Sequence, residues 1–412
     1  MGAKRTERNR GDVLAIGLMS GTSHDGVSAA LVRIDERGRP PARAIAFQTF
    51  PYSAKFRARL LEATSGAPVG SGELSTLNFE LGRAFGRAAI AVARAARVAL
   101  SRLDFIGSHG HTFFHRPPGA AKRGATASTL QLGEPAMIAA MTQLPVVADF
   151  RPMDIALGGE GAPLAPLAHL WLFTDPSRGR VIQNIGGIGN ATFIPAGASL
   201  ESPGLIAFDT GPGVGLIDAL AVEMTGGKMR MDRGGRLAAR GRVSPAMLSA
   251  LMRNPYFRRR PPKSTGREEF GLPYLAEIRR IAQPLGVRGH DLFATVTALT
   301  AESIAESVRK FILPRGRVDQ IIATGGGARN PTLLAMLASR MPELEVTTAD
   351  QVGVDGDSLE AVAFAILGYQ MLHGRQGNIP SVTGARAPAI LGKLTLPPQA
   401  LNTHPAPRAR RR

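Results

Sequence analysis

The 412-residue sequence contains no cysteine, which excludes disulfide bridges, thiolate metal centres and cysteine nucleophiles and suits the reducing cytoplasm. Aromatic residues are scarce. One tryptophan and four tyrosines leave little for the base stacking that single-stranded nucleic acid requires. No apolar run reaches the roughly 18 residues of a membrane span, and the N-terminus lacks the apolar centre of an export signal. Acids are outnumbered, 32 against 50 Lys and Arg, for a formal net charge of +18. Apart from the two ends and Arg258-Arg259-Arg260, the bases are scattered among acids and alanines. That dispersal predicts neither a nucleic-acid nor a membrane partner and suits an acidic or phosphorylated small substrate.

What is present is ample apolar material, 44% of the chain, enough for two domains with real cores. Residues 1–10 and 397–412 read as disordered basic tails. The first six residues also fit the short N-myristoylation pattern, a match expected often by chance. Apolar runs at 13–19 and 27–34 predict a hairpin, 77–102 a long helix, 105–108 and 129–132 short strands, and 358–372 a last long helix. Strands at 181–184, 206–208 and 320–323 each run into glycine. Strands and helices interspersed in this way predict an α/β architecture.

Four times an apolar strand ends in a glycine-rich turn bearing Ser, Thr, Asp or Asn: "MSGTSHDG" at Ser20, "NIGGIGN" at Gly186, "DTGPGVG" at Gly211 and "TGGGARN" at Gly325. Such turns let backbone N–H groups converge on phosphate oxygens. Ser20, Thr22 and Ser23 would add hydroxyl donors, and Asp25 could hold a metal ion through water. Each turn taken alone is equally a tight turn whose glycines serve backbone geometry. Neither G-x-x-x-x-G-K-[ST] nor G-x-G-x-x-G in a strand-to-helix context occurs, so Walker-type and Rossmann sites are excluded. The recurrence points to two similar halves with hairpin loops gripping the phosphates of a nucleotide, and with 324–330 flanking base and ribose.

Two clusters could carry chemistry. His109, His111 and His115 in "HGHTFFH" fit a substrate loop or, with Asp149 or Asp154, a metallohydrolase centre. Asp149, Asp154 and Glu160 stand in "DFRPMDIALGGEG". Asp149 beside Arg151 suits an ion pair, whereas Asp154 precedes flexible glycines that would let a general base reach its substrate.

Taken together, "GLMSGTSHDGVSAALVRID", "GSHGHTFFHRP", "TLQLGEP", "VVADFRPMDIALGGEGAPL", "NIGGIGN", "FDTGPG", "KSTGREEF" and "GGGARN" resemble, in order and over nearly the whole chain, the motifs of the anhydro-N-acetylmuramic acid kinase family. The resemblance implies an actin-like, ribonuclease H-like fold of two α/β domains around a central cleft. It implies an ATP- and Mg2+-dependent kinase that hydrolytically opens 1,6-anhydro-N-acetylmuramic acid and yields N-acetylmuramic acid 6-phosphate, in cell-wall recycling, as a cytoplasmic homodimer. By the same resemblance Asp154 is the catalytic base. Ser20, Gly21, Thr22, Ser23, Asp25 and Gly26 form the first phosphate loop, with Asp25 at the metal. Asn184, Gly186 and Gly187 form the second, joined by Asp209, Gly211 and Gly213. Gly325, Gly326, Gly327 and Asn330 make the adenosine-side turn, and His109, Thr112, His115, Gln131, Gly133 and Glu360 contact the sugar. The implied domains are 11–178 with 365–396, and 179–364.

The sequence departs from the family pattern at His24, Ser28, His111, Glu134, Glu160 and Val214, where Leu, Asp, Gln, Asp or Asn, Gln and Asn are usual. These changes leave open a kinase acting on a different sugar. An ATP-binding module without phosphoryl transfer is a further alternative, which a retained base argues against.

Overall fold

The computed structural model describes residues 12–21, 24–66, 68–121 and 125–398. Thr22, Ser23, the N-terminal tail and the C-terminal tail beyond residue 398 lie outside the described residues. The described chain separates into two compact units, one of residues 12–172 with 358–398 and one of 173–357.

The first unit is built on β1 (Val13–Ser20), β2 (Gly26–Ile34), β3 (Ala42–Pro51), β4 (Phe105–Arg116), β5 (Ser128–Leu132) and β6 (Val146–Ala148). β1, β2 and β3 form an antiparallel meander, β4 joins β1 in parallel and β6 joins β4 in parallel, giving the order β3-β2-β1-β4-β6. Helices α1 (Ala54–Ala63), α2 (Ser71–Ala95), α3 (Pro135–Thr142) and the short α4 (Pro152–Ala156) follow the strands. One face of α2 carries Leu77, Leu81, Phe85 and Val92, all at 0% exposure, against Ile16 and Leu18 of β1. Each such side chain contributes about 1.5–3 kcal/mol on burial.

The second unit repeats the pattern. β7 (Arg180–Ile185), β8 (Ile188–Ile194) and β9 (Ile206–Pro212) form an antiparallel meander, and β10 (Gln320–Thr324) and β11 (Glu345–Thr348) add in parallel, in the order β9-β8-β7-β10-β11. Helices α5 (Gly215–Met224), α6 (Gly289–Ser307) and α7 (Pro331–Arg340) accompany them. A meander followed by two parallel strands is the ribonuclease H-like order of the actin-like fold, and both units have it. The two similar halves anticipated from the glycine turns are therefore two copies of one topology.

The boundaries differ from the expected ones. The chain crosses between units at 172/173 and 357/358, not at 178/179 and 364/365. The expected second boundary would cut the Leu359–Leu372 helix, which belongs whole to the first unit. It packs on β1 and β4 at two glycines: a Cβ on Gly17 would lie 1.7 Å from the Ala361 carbonyl oxygen, and one on Gly107 2.0 Å from that of Phe364. The histidine segment is likewise strand and not loop, because β4 continues to Arg116 through a left-handed Gly110 at φ +76°.

Candidate active site

In the first unit β1 delivers Ser20, 2% exposed, to the opening turn. Its hydroxyl accepts from the Tyr52 phenol at 3.0 Å and lies 3.1 Å from His111 Nδ1. Burial, aided by the charge of His24, pushes His111 down to about 4, so the ring is neutral at pH 7 and Nδ1 can accept the Ser20 proton. The His24 and His111 rings stand 4.8 Å apart. The Gly21 carbonyl accepts from His24 N–H at 3.1 Å, closing the turn. Gly26 has a structural reason: a Cβ there would meet the Phe50 carbonyl oxygen at 2.2 Å. Asp25 is exposed and pairs with Arg57 at 2.9 Å, so a cation already occupies the carboxylate expected at the metal.

The expected sugar residues divide. His109, Gln131 and Gly133 line a cavity of about 400 Å3 with Asn78, Ser108 and Glu134. His109 is 3% exposed, with Nδ1 3.0 Å from the Gly110 carbonyl and Nε2 accepting from Arg151 Nε at 3.0 Å. Burial and the Arg151 charge hold its pKa well below the usual imidazole range. Gln131 donates to Thr129 Oγ1 at 2.7 Å, while its Oε1 is buried without a partner among the described residues, an acceptor left for a ligand donor. Gly133 N–H donates to Asn78 Oδ1 at 2.8 Å. Thr112 faces Gln131 in the β4–β5 ladder, and His115 Nδ1 lies 3.1 Å from Thr129 Oγ1, but neither lines the cavity. Glu360 does not line it either. Desolvation by the packing around it pushes the Glu360 carboxyl up, against the pull of the Arg151 charge.

The three histidines thus address Arg151, Ser20 and Thr129 separately. Among the described residues no group of three or more His, Asp or Glu could hold a metal ion, which removes the support for a metallohydrolase centre. Asp149 does form an ion pair, but with Lys393 at 2.9 Å and not with Arg151.

Asp154 is more enclosed than the sequence reading anticipated. It is 0% exposed, and both carboxylate oxygens are in use. Oδ2 accepts from Gly161 N–H at 2.8 Å, and Oδ1 accepts from Asn378 Nδ2 at 2.8 Å and Thr383 Oγ1 at 2.7 Å. A Cβ on Gly159 would lie 2.3 Å from Oδ2, so this glycine allows close approach to the carboxylate instead of freeing it. These three hydrogen bonds clip two chain segments together around the carboxylate.

In the second unit the β7–β8 turn docks on the loop after β9. The Gly187 carbonyl accepts from Gly213 and Gly215 N–H, and the Gly186 carbonyl from Val214 N–H, at 2.8–3.2 Å. Gly213 therefore spends its N–H within the protein, and a Cβ there would strike the Gly186 oxygen at 2.0 Å. Gly211, at φ +135°, packs against the Phe257 ring. Gly187 and Gly326 have nothing within 4 Å of a Cβ position and remain open to a ligand. Gly325 abuts Asn184, and Gly327 abuts Ile185, so both serve packing between β7 and the β10 turn. Asn330 is the N-cap of α7, its side-chain oxygen accepting from Leu333 N–H at 3.0 Å, which leaves only its amide N–H2 for a ligand.

Asp209 is unlike Asp154. Its Oδ2 accepts from Thr265 N–H at 2.9 Å, and its backbone bonds Lys263 and the Tyr256 hydroxyl. Burial raises its pKa to about 6, against the pull of the Thr265 N–H and Lys263. Lys263 is 8% exposed, its Nζ has no hydrogen-bond partner among the described residues, and the rings of Tyr256, Phe311 and Phe208 surround it at 4.5, 5.0 and 5.7 Å. Burial pushes this lysine down to about 8.

Sequence reasoning missed Tyr52, Asn78 and Arg151 and gave Asp209 only a nucleotide role. Asn78 carried a signal, a lone amide on the apolar side of a long helix. Tyr52 carried none, since its partner lies 32 residues away.

Most departures from the family pattern have local explanations. Glu134 caps α3, accepting from Ala136 N–H and Asn78 Nδ2, both at 3.0 Å. Glu160 turns to Gly119 N–H at 3.0 Å, Ser28 lies 3.2 Å from Thr49 Oγ1 across β2 and β3, and Val214 packs on the second unit's core.

The family model described as anhydro-N-acetylmuramic acid kinase matches residues 13–397. A curated anhydro-N-acetylmuramic acid kinase of Caldanaerobacter subterraneus subsp. tengcongensis is 42% identical over 390 residues, covering 94% of this chain and 98% of that protein. One of Bacillus thuringiensis subsp. konkukian is 39% identical, covering 93% and 99%. Among solved structures, the (R)-2-hydroxyglutaryl-CoA dehydratase component A of Acidaminococcus fermentans aligns with a TM-score of 0.45 at 12% identity, over 86% of this chain and 96% of that one. On the family match and the identity along almost its whole length, the chain belongs to the anhydro-N-acetylmuramic acid kinase family.

Proposed function

We propose that this kinase uses ATP to convert 1,6-anhydro-N-acetylmuramic acid into N-acetylmuramic acid 6-phosphate. The observation that carries the reading is family membership across 13–397. Water attacks the anomeric carbon, the bond from that carbon to the bridging oxygen breaks, the freed oxygen on carbon six takes the γ-phosphoryl group, and ADP leaves. The proton lost by water goes to a base.

The base in this reading is Asp209, and Asp154, which the family resemblance implies, is the alternative that Asn variants of the two residues separate. A carboxylate with a pKa near 6 and one oxygen uncommitted can take a proton near neutral pH. In the first unit the cavity around His109, Gln131 and Gly133 receives the sugar, with Gln131 Oε1 accepting from a hydroxyl or amide N–H and the neutral His109 held in one orientation by Arg151. Ser20 and Gly21 of the first unit, and Asn184, Gly186, Gly187 and the open Gly326 of the second, supply phosphate and nucleoside contacts. Thr112, His115 and Glu360 act in support of the sugar site. Mg2+ neutralises phosphate charge when bound. Among the described residues no three His, Asp or Glu cluster for a metal, and Asp25, the carboxylate that would hold Mg2+, pairs with Arg57, so no step is assigned to the metal.

Among the described residues no helix is long and apolar enough to cross a membrane. A cytoplasmic homodimer acting in cell-wall recycling is part of the same proposal. A different sugar loses its main support once Glu134 and Glu160 are committed to backbone N–H groups.

The test is ADP release by purified protein with Mg·ATP and 1,6-anhydro-N-acetylmuramic acid, N-acetylmuramic acid, N-acetylglucosamine or no sugar. Release that depends on the anhydro sugar, with the 6-phosphate as product, is expected. Equal release with N-acetylglucosamine contradicts the reading.

A further inference from the structure

The first unit holds a second cavity that the proposed reaction does not use. It measures about 510 Å3, within the range of small-molecule pockets. One wall is a flank of α2, where Ala84, Ala88 and Ala91 at helical spacing leave room for a guest. The opposite wall is aromatic: Phe50, Tyr52 and Phe56, with the Tyr52 and Phe56 rings 5.2 Å apart in edge contact.

Charge gives the guest its sign. Arg83 and Arg87 stand one helical turn apart at the rim, exposed, and neither has a carboxylate partner among the described residues. The remaining charged group of the lining, Glu80, is committed to Arg59 at 2.6 Å, and Arg59 also grips Glu73. An aromatic and alanine-lined hollow with two uncommitted guanidinium groups suits a flat apolar body carrying an anionic group.

Tyr52 connects this cavity to the opening turn at both of its ends. Its hydroxyl donates to Ser20 Oγ at 3.0 Å, and its backbone N–H donates to the Asp25 carbonyl at 3.0 Å. A guest that displaces the ring moves the groups that hold the turn.

We propose that this cavity is a second binding site, for a small aromatic anion, coupled through Tyr52 to the turn that begins at Ser20. The coupling rests on the phosphate-binding role proposed for that turn, whereas the binding does not.

The probes are 8-anilinonaphthalene-1-sulfonate and its uncharged parent, N-phenyl-1-naphthylamine, titrated by fluorescence into the full chain with saturating AMPPNP. The sulfonate is expected to bind one site at least tenfold more tightly than the parent. The double variant Arg83→Glu/Arg87→Glu should lose at least tenfold for the sulfonate and nothing for the parent. Ala84→Trp, which fills the hollow, should abolish both, with an unchanged Tm showing that each variant is folded. Sulfonate affinity unchanged in these variants, or binding abolished by AMPPNP, overturns the site. With the site occupied, AMPPNP affinity should change at least threefold, and Tyr52→Phe should remove that change while sparing sulfonate binding. Occupancy without any effect on AMPPNP overturns the coupling alone, and neither result depends on which sugar is phosphorylated.

Discussion

Asp154, in helix α4, and Asp209, in strand β9, each precede a glycine-rich stretch and have opposite surroundings. Asp154 is wholly buried and receives three hydrogen bonds, two of them from side chains more than 200 residues along the chain. Asp209 receives one, from Thr265 N–H, and burial holds its proton up to about pH 6. The contrast shows that nearby glycines do not make a carboxylate mobile. Around Asp154 they let the chain close on it, whereas Asp209, the proposed base, keeps one oxygen without a donor.

The largest effect should separate these two residues. Asp209→Asn is expected to lower kcat/KM at least about 10^3-fold, the scale of general-base loss, with Tm within a few degrees of the parent. Asp154→Asn should do the reverse. It places an amide N–H2 against the Gly161 N–H or the Asn378 and Thr383 donors, so chemical denaturation should report a loss of about 3 kcal/mol, with activity per folded molecule within about tenfold.

The same division applies to glycines. Gly17→Ala sets a methyl group against the Ala361 carbonyl and should cost about 3 kcal/mol or more in stability. Gly187→Ala meets open space and should change stability by less than about 1 kcal/mol while raising the KM for ATP several-fold. Equal stability loss in both variants would remove the distinction between packing and ligand glycines.

A smaller effect concerns pH. Burial lowers His111, His115 and His169 to about 4 and His109 well below its ordinary value. The unfolded chain therefore takes up protons that the folded chain refuses, and their contribution is intact above about pH 6.5 and lost progressively toward pH 4. Each such histidine contributes at most about 1.4 kcal/mol per pH unit in that window. Asp209 and Asp218, both raised to about 6, and Glu360, also raised, have the opposite sign and gain stability as pH falls, but they are fewer than the four histidines. Net destabilisation from pH 7 to 5 is expected in denaturant titrations, with a shallower fall in His111→Gln.

The hairpin at residues 13–34, the long helix in α2 and the strand before each glycine turn were legible because apolar periodicity is local. Strand β3 was not, since its alternating exposure and Arg43 disguise an edge strand. The cavity residues His109, Gln131 and Gly133 followed from motif resemblance, and the structure brings them together. The enclosure of Asp154 was illegible, because Asn378 and Thr383 reach it only through the return of the chain to the first unit. The domain boundary at 364/365 failed for a related reason: nothing in the apolar 358–372 run says that Gly17 and Gly107 are its seat.

The most direct test of the central claim is anhydro-sugar-dependent ADP release by Asp154→Asn and Asp209→Asn, measured side by side at equal concentrations of folded protein. The account predicts a rate at least about 100-fold higher for Asp154→Asn, as expected if only Asp209 removes the proton from water. A higher rate for Asp209→Asn would contradict it and return the role of base to Asp154.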